Sequence, residues 1–168
     1  MRNEGLTVVE NNISIPFILA AVNLYENSVN VPMIIKMNGQ NQEQKINDHL
    51  CYLIDIFPTV CDWIDKHVPQ SVDGKSLTPI IENNTPIRDY LCFAYTDLQR
   101  SVSDGEWKLI EYNVNGEKHT QLFNLKNDPM EINNLIHDNS LNDKVDTLRL
   151  KMTQLKEETN DNSKFWEQ

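Results

Sequence analysis

The 168 residues carry 15 basic against 25 acidic side chains, for a formal charge of −10 and a pI near 4.8; the resulting field repels nucleic acid and anionic lipid surfaces unless a local basic patch overrides it. A hydrophobic content of 39% over this length suits one compact soluble domain with its own core. Cys51, Cys61 and Cys92 form no CxxC pair, which excludes a disulfide framework and a zinc knuckle and leaves buried free thiols as the expectation.

The apolar run over 13–22 is broken by Ser14 and Pro16 and is about half of the roughly 20 residues that span a bilayer. Residues 1–12 set Arg2 against Glu4 and Glu10, the wrong balance for an export leader. The chain is therefore expected to be soluble, with no recognisable signal peptide or membrane span, and its compartment is left open.

Residues 29–36 read V-N-V-P-M-I-I-K, a β-branched run that predicts a strand buried on both faces, with Pro32 at its beginning or on an edge. Polar residues over 38–48, around Gly39, predict an exposed loop. Helical spacing then begins at Leu50, but Pro58 cannot occupy a helix interior, so the helix is placed from Asp55 as N-cap, with Pro58 in its first turn and an end near Lys66. Its expected buried stripe is Phe57, Val60, Cys61 and Ile64.

A turn-rich connection over 68–79 leads to a short apolar piece at 77–81. The period then changes to that of strands, over 90–96, 99–103, 106–114 and 118–125. Asp104-Gly105 and Asn115-Gly116 separate the last three and supply the positive φ angles of tight turns, predicting two consecutive hairpins in a small antiparallel sheet. Asn127-Asp128-Pro129 opens a turn or helix. Ser140 begins a final helix whose Leu141, Val145, Leu148, Met152 and Leu155 are expected to pack on the sheet. The tail over 157–168 is polar apart from Phe165 and Trp166, and is expected either to fray or to dock its aromatics on something outside the chain.

Several sequence strings resemble the sulfatase family, within the alkaline-phosphatase superfamily. They are Leu24-Tyr25-Glu26 followed by Val31-Pro32, Asp55-Ile56-Phe57-Pro58-Thr59, and Asp73-Gly74-Lys75-Ser76-Leu77. Further on come Gln99-Arg100, Asp104-Gly105-Glu106-Trp107-Lys108-Leu109-Ile110, Gln121-Leu122-Phe123-Asn124-Leu125 and Asn127-Asp128-Pro129-Met130-Glu131, ending at Asn134-Leu135. The resemblance covers about two thirds of the chain and is to the C-terminal part of arylsulfatase-like enzymes. It implies a mixed α/β (α+β) fold: an unplaced segment over 1–23, the last elements of the sulfatase α/β core over 24–82, and a C-terminal subdomain over 83–168 with an antiparallel sheet packed on a terminal helix.

The resemblance also implies the chemistry. Sulfatases attack with a formylglycine made from a cysteine or serine followed two positions later by proline and then arginine, beside a carboxylate-held calcium ion. Cys51 is followed by Tyr52-Leu53-Ile54, Cys61 by Asp62-Trp63-Ile64 and Cys92 by Phe93-Ala94-Tyr95, so none fits the motif. The nearest match to the family's upstream metal motif, Asn3-Glu4-Gly5-Leu6, lacks its aspartate, and the lysine expected three residues before Leu24 is Ala21. No catalytic or metal residue is assigned, and calcium and formylglycine are expected only in a complete family member.

His49, His67, His119 and His137 have no metal-ligand spacing and receive no role. Glu26 and Asp55 are read as structural rather than as an acid–base pair. Arg100, on a strand next to that of Lys108, is the one weak candidate for meeting an anionic substrate, against ordinary solvation. Two functions follow: the C-terminal portion of a truncated or split sulfuric ester hydrolase, either inactive or dependent on a separate N-terminal sulfatase chain, or a non-catalytic binding module derived from one. No nucleic-acid or membrane partner is expected, and strand edges left unpaired are a route to self-association.

Overall fold

A computed structural model of the protein describes residues 23–36 and 46–167. The expectations for 1–22 and for most of the 38–48 loop lie outside these residues. The elements are the single turn α1 (Glu26–Val29), α2 (Ile56–Trp63), α3 (Thr78–Asn83), strands β1 (Leu91–Tyr95), β2 (Gln99–Ser103), β3 (Trp107–Val114) and β4 (Glu117–Asn124), and α4 (Asn142–Glu158). Short 3-10 turns lie at Leu53–Asp55, Asn139–Leu141 and Lys164–Trp166.

The four strands form one antiparallel meander in the order β1-β2-β3-β4. Two of its three hairpins turn at the glycine dipeptides where the sequence places them. Asn115 and Gly116 both take positive φ, 53° and 84°, the pair of left-handed residues that a two-residue primed turn needs. At the other turn Gly105 sits at φ 90°, while the Asp104 carboxylate accepts from the Glu106 and Trp107 amides at 3.0 and 2.7 Å.

Register then divides the side chains between two faces. Val102 pairs with Leu109 and Leu109 with Leu122, forming a row across three strands. Val145, Leu148 and Met152 of α4 bury that row, with Leu141 and Leu155 at the margins, as the helical spacing requires. On the opposite face Ile110 and Phe123 enclose Leu24, and the Tyr25 ring meets Phe123 edge-on at 5.9 Å. The sheet is thus covered on both sides, by α4 and by the chain around α1, and the mixed α/β class expected from the sequence is the one observed.

Three local expectations are corrected. Residues 30–36 form no strand: Val31 and Ile34 are exposed, and among the described residues no neighbouring strand pairs with them. Helix α2 ends at Trp63 rather than near Lys66, and it buries Pro58, Thr59 and Cys61 while Phe57, Val60 and Ile64 face outward. The tail neither frays nor looks elsewhere for a partner: Phe165 is buried, its carbonyl accepts from Asn113 Nδ2 at 3.0 Å, and Trp166 packs on the α4 side of the sheet. Of the cysteines only Cys61 is buried; Cys51 and Cys92 are half-buried free thiols.

Candidate functional site

The charged side chains of the motif strings gather at three centres. The first is Lys108, whose register on β3 points it away from α4 and leaves it with no exposed surface. Its ammonium lies 2.9 Å from Glu26 Oε1 and 3.1 Å from Glu131 Oε1, and the Glu26 amide donates to the other oxygen of Glu131. A buried lysine is retained only when its charge is matched, and here the two matching acids come from strings 105 residues apart. Glu131 is held at φ 54°, a left-handed conformation that costs a non-glycine residue roughly 1–2 kcal/mol. Burial pushes its carboxyl up, and the Glu26 carboxylate adds to this, against the opposing pull of the Glu26 amide and Lys108.

The second centre is Asp55, fully buried. It stands at the start of α2, as the sequence implies, but its carboxylate does not cap that helix. Instead it accepts the Tyr52 amide at 2.7 Å, the Lys75 amide at 2.8 Å and a bidentate contact from Arg88. Burial alone would raise its pKa; the Arg88 guanidinium and the two amides outweigh this and hold the carboxyl below the usual range. One turn on, Thr59 Oγ1 accepts the Leu77 amide at 2.8 Å. Gly74 completes the joint, since a β-carbon there would sit 2.3 Å from the Ile54 carbonyl oxygen. The Tyr52 hydroxyl closes the outer edge of β1, accepting from the Cys92 amide and donating to the Cys92 carbonyl at 3.1 Å.

Arg100 forms the third centre and lies inside the protein rather than in solvent, with 3% of its surface exposed. Its guanidinium binds Asp161 at 2.6 and 3.1 Å, the carbonyls of Thr96 and Gln99 at 2.7 Å, and the Ser163 hydroxyl, and it stacks 4.9 Å from the Phe165 ring. The side chain read from sequence as a weak candidate for an anionic substrate is the latch that holds the C-terminal tail. Asp161 is held well below the usual carboxylate range by Arg100 first, against the raising effect of burial, and then by Trp166 and Ser163.

Each charged group at these centres is engaged by a partner within the chain. Burial pushes the Cys92 thiol up to about 11 and, with Asp55, raises that of Cys51, which keeps both in the weakly nucleophilic protonated form. Among the described residues no three His, Cys, Asp or Glu side chains converge on a point that could hold a metal ion. The acids that do converge, Glu26 and Glu131, enclose an ammonium group, and that donor set suits lysine rather than calcium. A cleft beside β4, lined by Lys118, His119, Thr120 and His137, includes no carboxylate in its wall. Sequence reasoning missed the meeting of Lys108 with Glu131; the available signal was the occurrence of both in strings shared with the sulfatases.

These centres are set in a four-stranded antiparallel meander backed by a terminal helix and tied by internal ion pairs. The family described as N-sulphoglucosamine sulphohydrolase, C-terminal, matches residues 21–158, and the chain belongs to that sulfatase family. It is 33% identical over 132 residues to an arylsulfatase of Clostridium perfringens, covering 74% of this chain and 27% of that protein. It is 31% identical over 129 residues to a Δ4,5-hexuronate-2-O-sulfatase of Bacteroides thetaiotaomicron, covering 70% of this chain and 26% of the relative. A crystal structure of a sulfatase-class protein from the same bacterium superposes with a TM-score of 0.70 at 24% identity, over 84% of this chain and 32% of its own, and bears on the fold alone. The chain thus spans about a quarter of the length of the clostridial arylsulfatase. No helix of the described residues is long and apolar enough to cross a membrane.

Proposed function

We propose that this C-terminal sulfatase portion serves to complete a sulfuric ester hydrolase whose nucleophile and metal site belong to an N-terminal portion, and that these 168 residues do not hydrolyse sulfate esters alone. The observation that carries the reading is the use made of the shared strings: Glu26, Lys108 and Glu131 are spent on one another, Asp55 on Arg88 and Arg100 on the tail. They brace the subdomain, and none of the five is free to attack sulfur or to stabilise charge on the sulfate oxygens. The resemblance supplies the rest, since the formylglycine motif and the metal carboxylates of a sulfatase belong to its N-terminal part and none of the three cysteines here fits that motif.

The test is hydrolysis of a generic aryl sulfate by the purified chain with calcium present, followed by mass spectrometry of its cysteine peptides. No turnover and three unmodified cysteines are expected. Turnover that survives repurification, or a formylglycine at any cysteine, would overturn the reading.

A further inference from the structure

The cleft beside the outer edge of β4 encloses about 480 Å³ and has no carboxylate in its wall, although the chain as a whole carries a net charge of −10. The use made of each oxygen gives that wall its polarity. The Leu122 amide and carbonyl both bond outward, to Asn134 Oδ1 at 3.0 Å and to the Leu135 amide at 2.8 Å. Backbone direction alternates along an antiparallel strand, so Thr120 and Lys118 turn their groups to the same outer side. There the Thr120 amide meets no acceptor among the described residues. Asn134 Oδ1 is occupied by the Leu122 and Ile136 amides, which leaves its Nδ2 only a 3.5 Å contact with the Thr120 carbonyl. Gln121 Oε1 accepts the Tyr25 and Tyr112 hydroxyls at 2.7 and 3.0 Å, so Gln121 Nε2 is a donor without an acceptor. Lys118 has no ion-pair partner among the described residues, and neither His119 nor His137 meets a carboxylate closer than the exposed Glu117, 3.9 Å from His119.

A groove that is merely solvated mixes donors with acceptors. Here an ammonium, a backbone amide and two side-chain amides line one space, and the open backbone acceptor among them is the Lys118 carbonyl. Donors gathered around a cation are the recognition chemistry of an oxyanion, and the volume is that of a small-molecule site rather than of a bare ion. We infer that the cleft beside β4 binds the oxyanion of a small molecule, a sulfate, phosphate or carboxylate group, with Lys118 supplying the charge and the Thr120 amide and Gln121 Nε2 the hydrogen bonds. The remaining room and the Lys118 carbonyl suit hydroxyl groups on the molecule that carries the anion. The site stands whether or not the chain completes a hydrolase.

The test follows the amide resonances of the isotope-labelled full chain during titration with sodium sulfate, glucose 6-sulfate and glucuronate. Sodium chloride at equal ionic strength and glucose serve as controls. Saturable shifts confined to 118–121 and 134–137 are expected, with tighter binding of glucose 6-sulfate than of inorganic sulfate. Lys118→Met and Gln121→Glu should each weaken binding about tenfold, the loss expected for one charge-assisted hydrogen bond. Gln121→Glu keeps an oxygen for the two tyrosine hydroxyls while replacing the donor by an acceptor, and resonances unchanged elsewhere check that each variant is folded. Lys126→Met, at an exposed lysine outside the wall, should leave the affinity unchanged. Tighter binding of the sulfated sugar identifies the oxyanion as one carried on an organic molecule, and equal affinities identify the free ion; both uphold the site. The inference is overturned by the absence of saturable shifts with all three anions, by shifts confined to other parts of the chain, or by equal affinity of Lys118→Met, Gln121→Glu and the wild type.

Discussion

Lys108 is the residue at which the family strings meet, and its energetics are asymmetric. The pair of acids around it compensates a charge that burial alone would not tolerate, so deleting the ammonium leaves two carboxylates facing each other in a protected site. Lys108→Met is expected to destabilise the fold by about 3 kcal/mol at pH 8 in urea unfolding. The sign of its pH dependence follows from Glu131, whose folded-state pKa is already above its ordinary value. A raised carboxyl contributes stability that is present at low pH and is lost as pH rises through the folded pKa. Removal of Lys108 raises it further, so the deficit of the variant shrinks as pH falls from 8 toward 5. A deficit that grows on acidification would show that the lysine does not offset these acids. No local signal marks this pairing in the sequence, where Lys108 occupies one position of an alternating strand and Glu131 follows a proline turn; only the membership of both in the shared strings connects them.

At the scale of elements, the sheet was legible almost residue by residue because its signals are local. Turn dipeptides fix where a hairpin reverses, and the period of two fixes which side chains share a face. The α4 stripe was legible for the same reason. The stripe of α2 was misread because periodicity reports that a face is apolar but not which of two apolar faces its own chain will cover, and the predicted strand over 29–36 requires neighbours that no local signal supplies. What secures α2 instead is the tight joint with residues 73–77, where the absence of a side chain at Gly74 admits the Ile54 carbonyl. Gly74→Ala places a methyl group 2.3 Å from that oxygen, and the Ile54 backbone it meets cannot swing away as a side chain could. Overpacking of this kind costs about 1–3 kcal/mol. Thermal unfolding of the variant should show that loss, together with weakened contact between Asp55 and the Lys75 amide, read as a changed amide shift. An unchanged melting temperature would mean that the joint gives way at negligible cost.

On the scale of the whole molecule, stability is distributed unevenly. Strands β2, β3 and β4 are buried between α4 and the Leu24 cluster, and Arg100 ties the tail across them. Helix α2 shares none of those layers; it reaches the sheet through Tyr52, whose hydroxyl holds the edge of β1 and whose ring meets Phe93 at 6.0 Å. Regions with few buried apolar contacts open at lower free energy than a two-sided core. Native-state hydrogen exchange on the isolated chain should therefore rank the amides of Val102, Leu109 and Leu122 as the slowest and those of α2 as at least about tenfold faster, because opening α2 exposes only its narrow buried arc. The Asp55–Arg88 pair belongs to the fast unit, whereas Lys108 and Arg100 belong to the slow one. Equal protection of α2 and β3 would mean that the chain unfolds as one cooperative body and needs no further layer to steady its N-terminal elements. The expected gradient would instead show the sheet folding on its own resources, with α2 reaching comparable protection only after its second apolar face is covered.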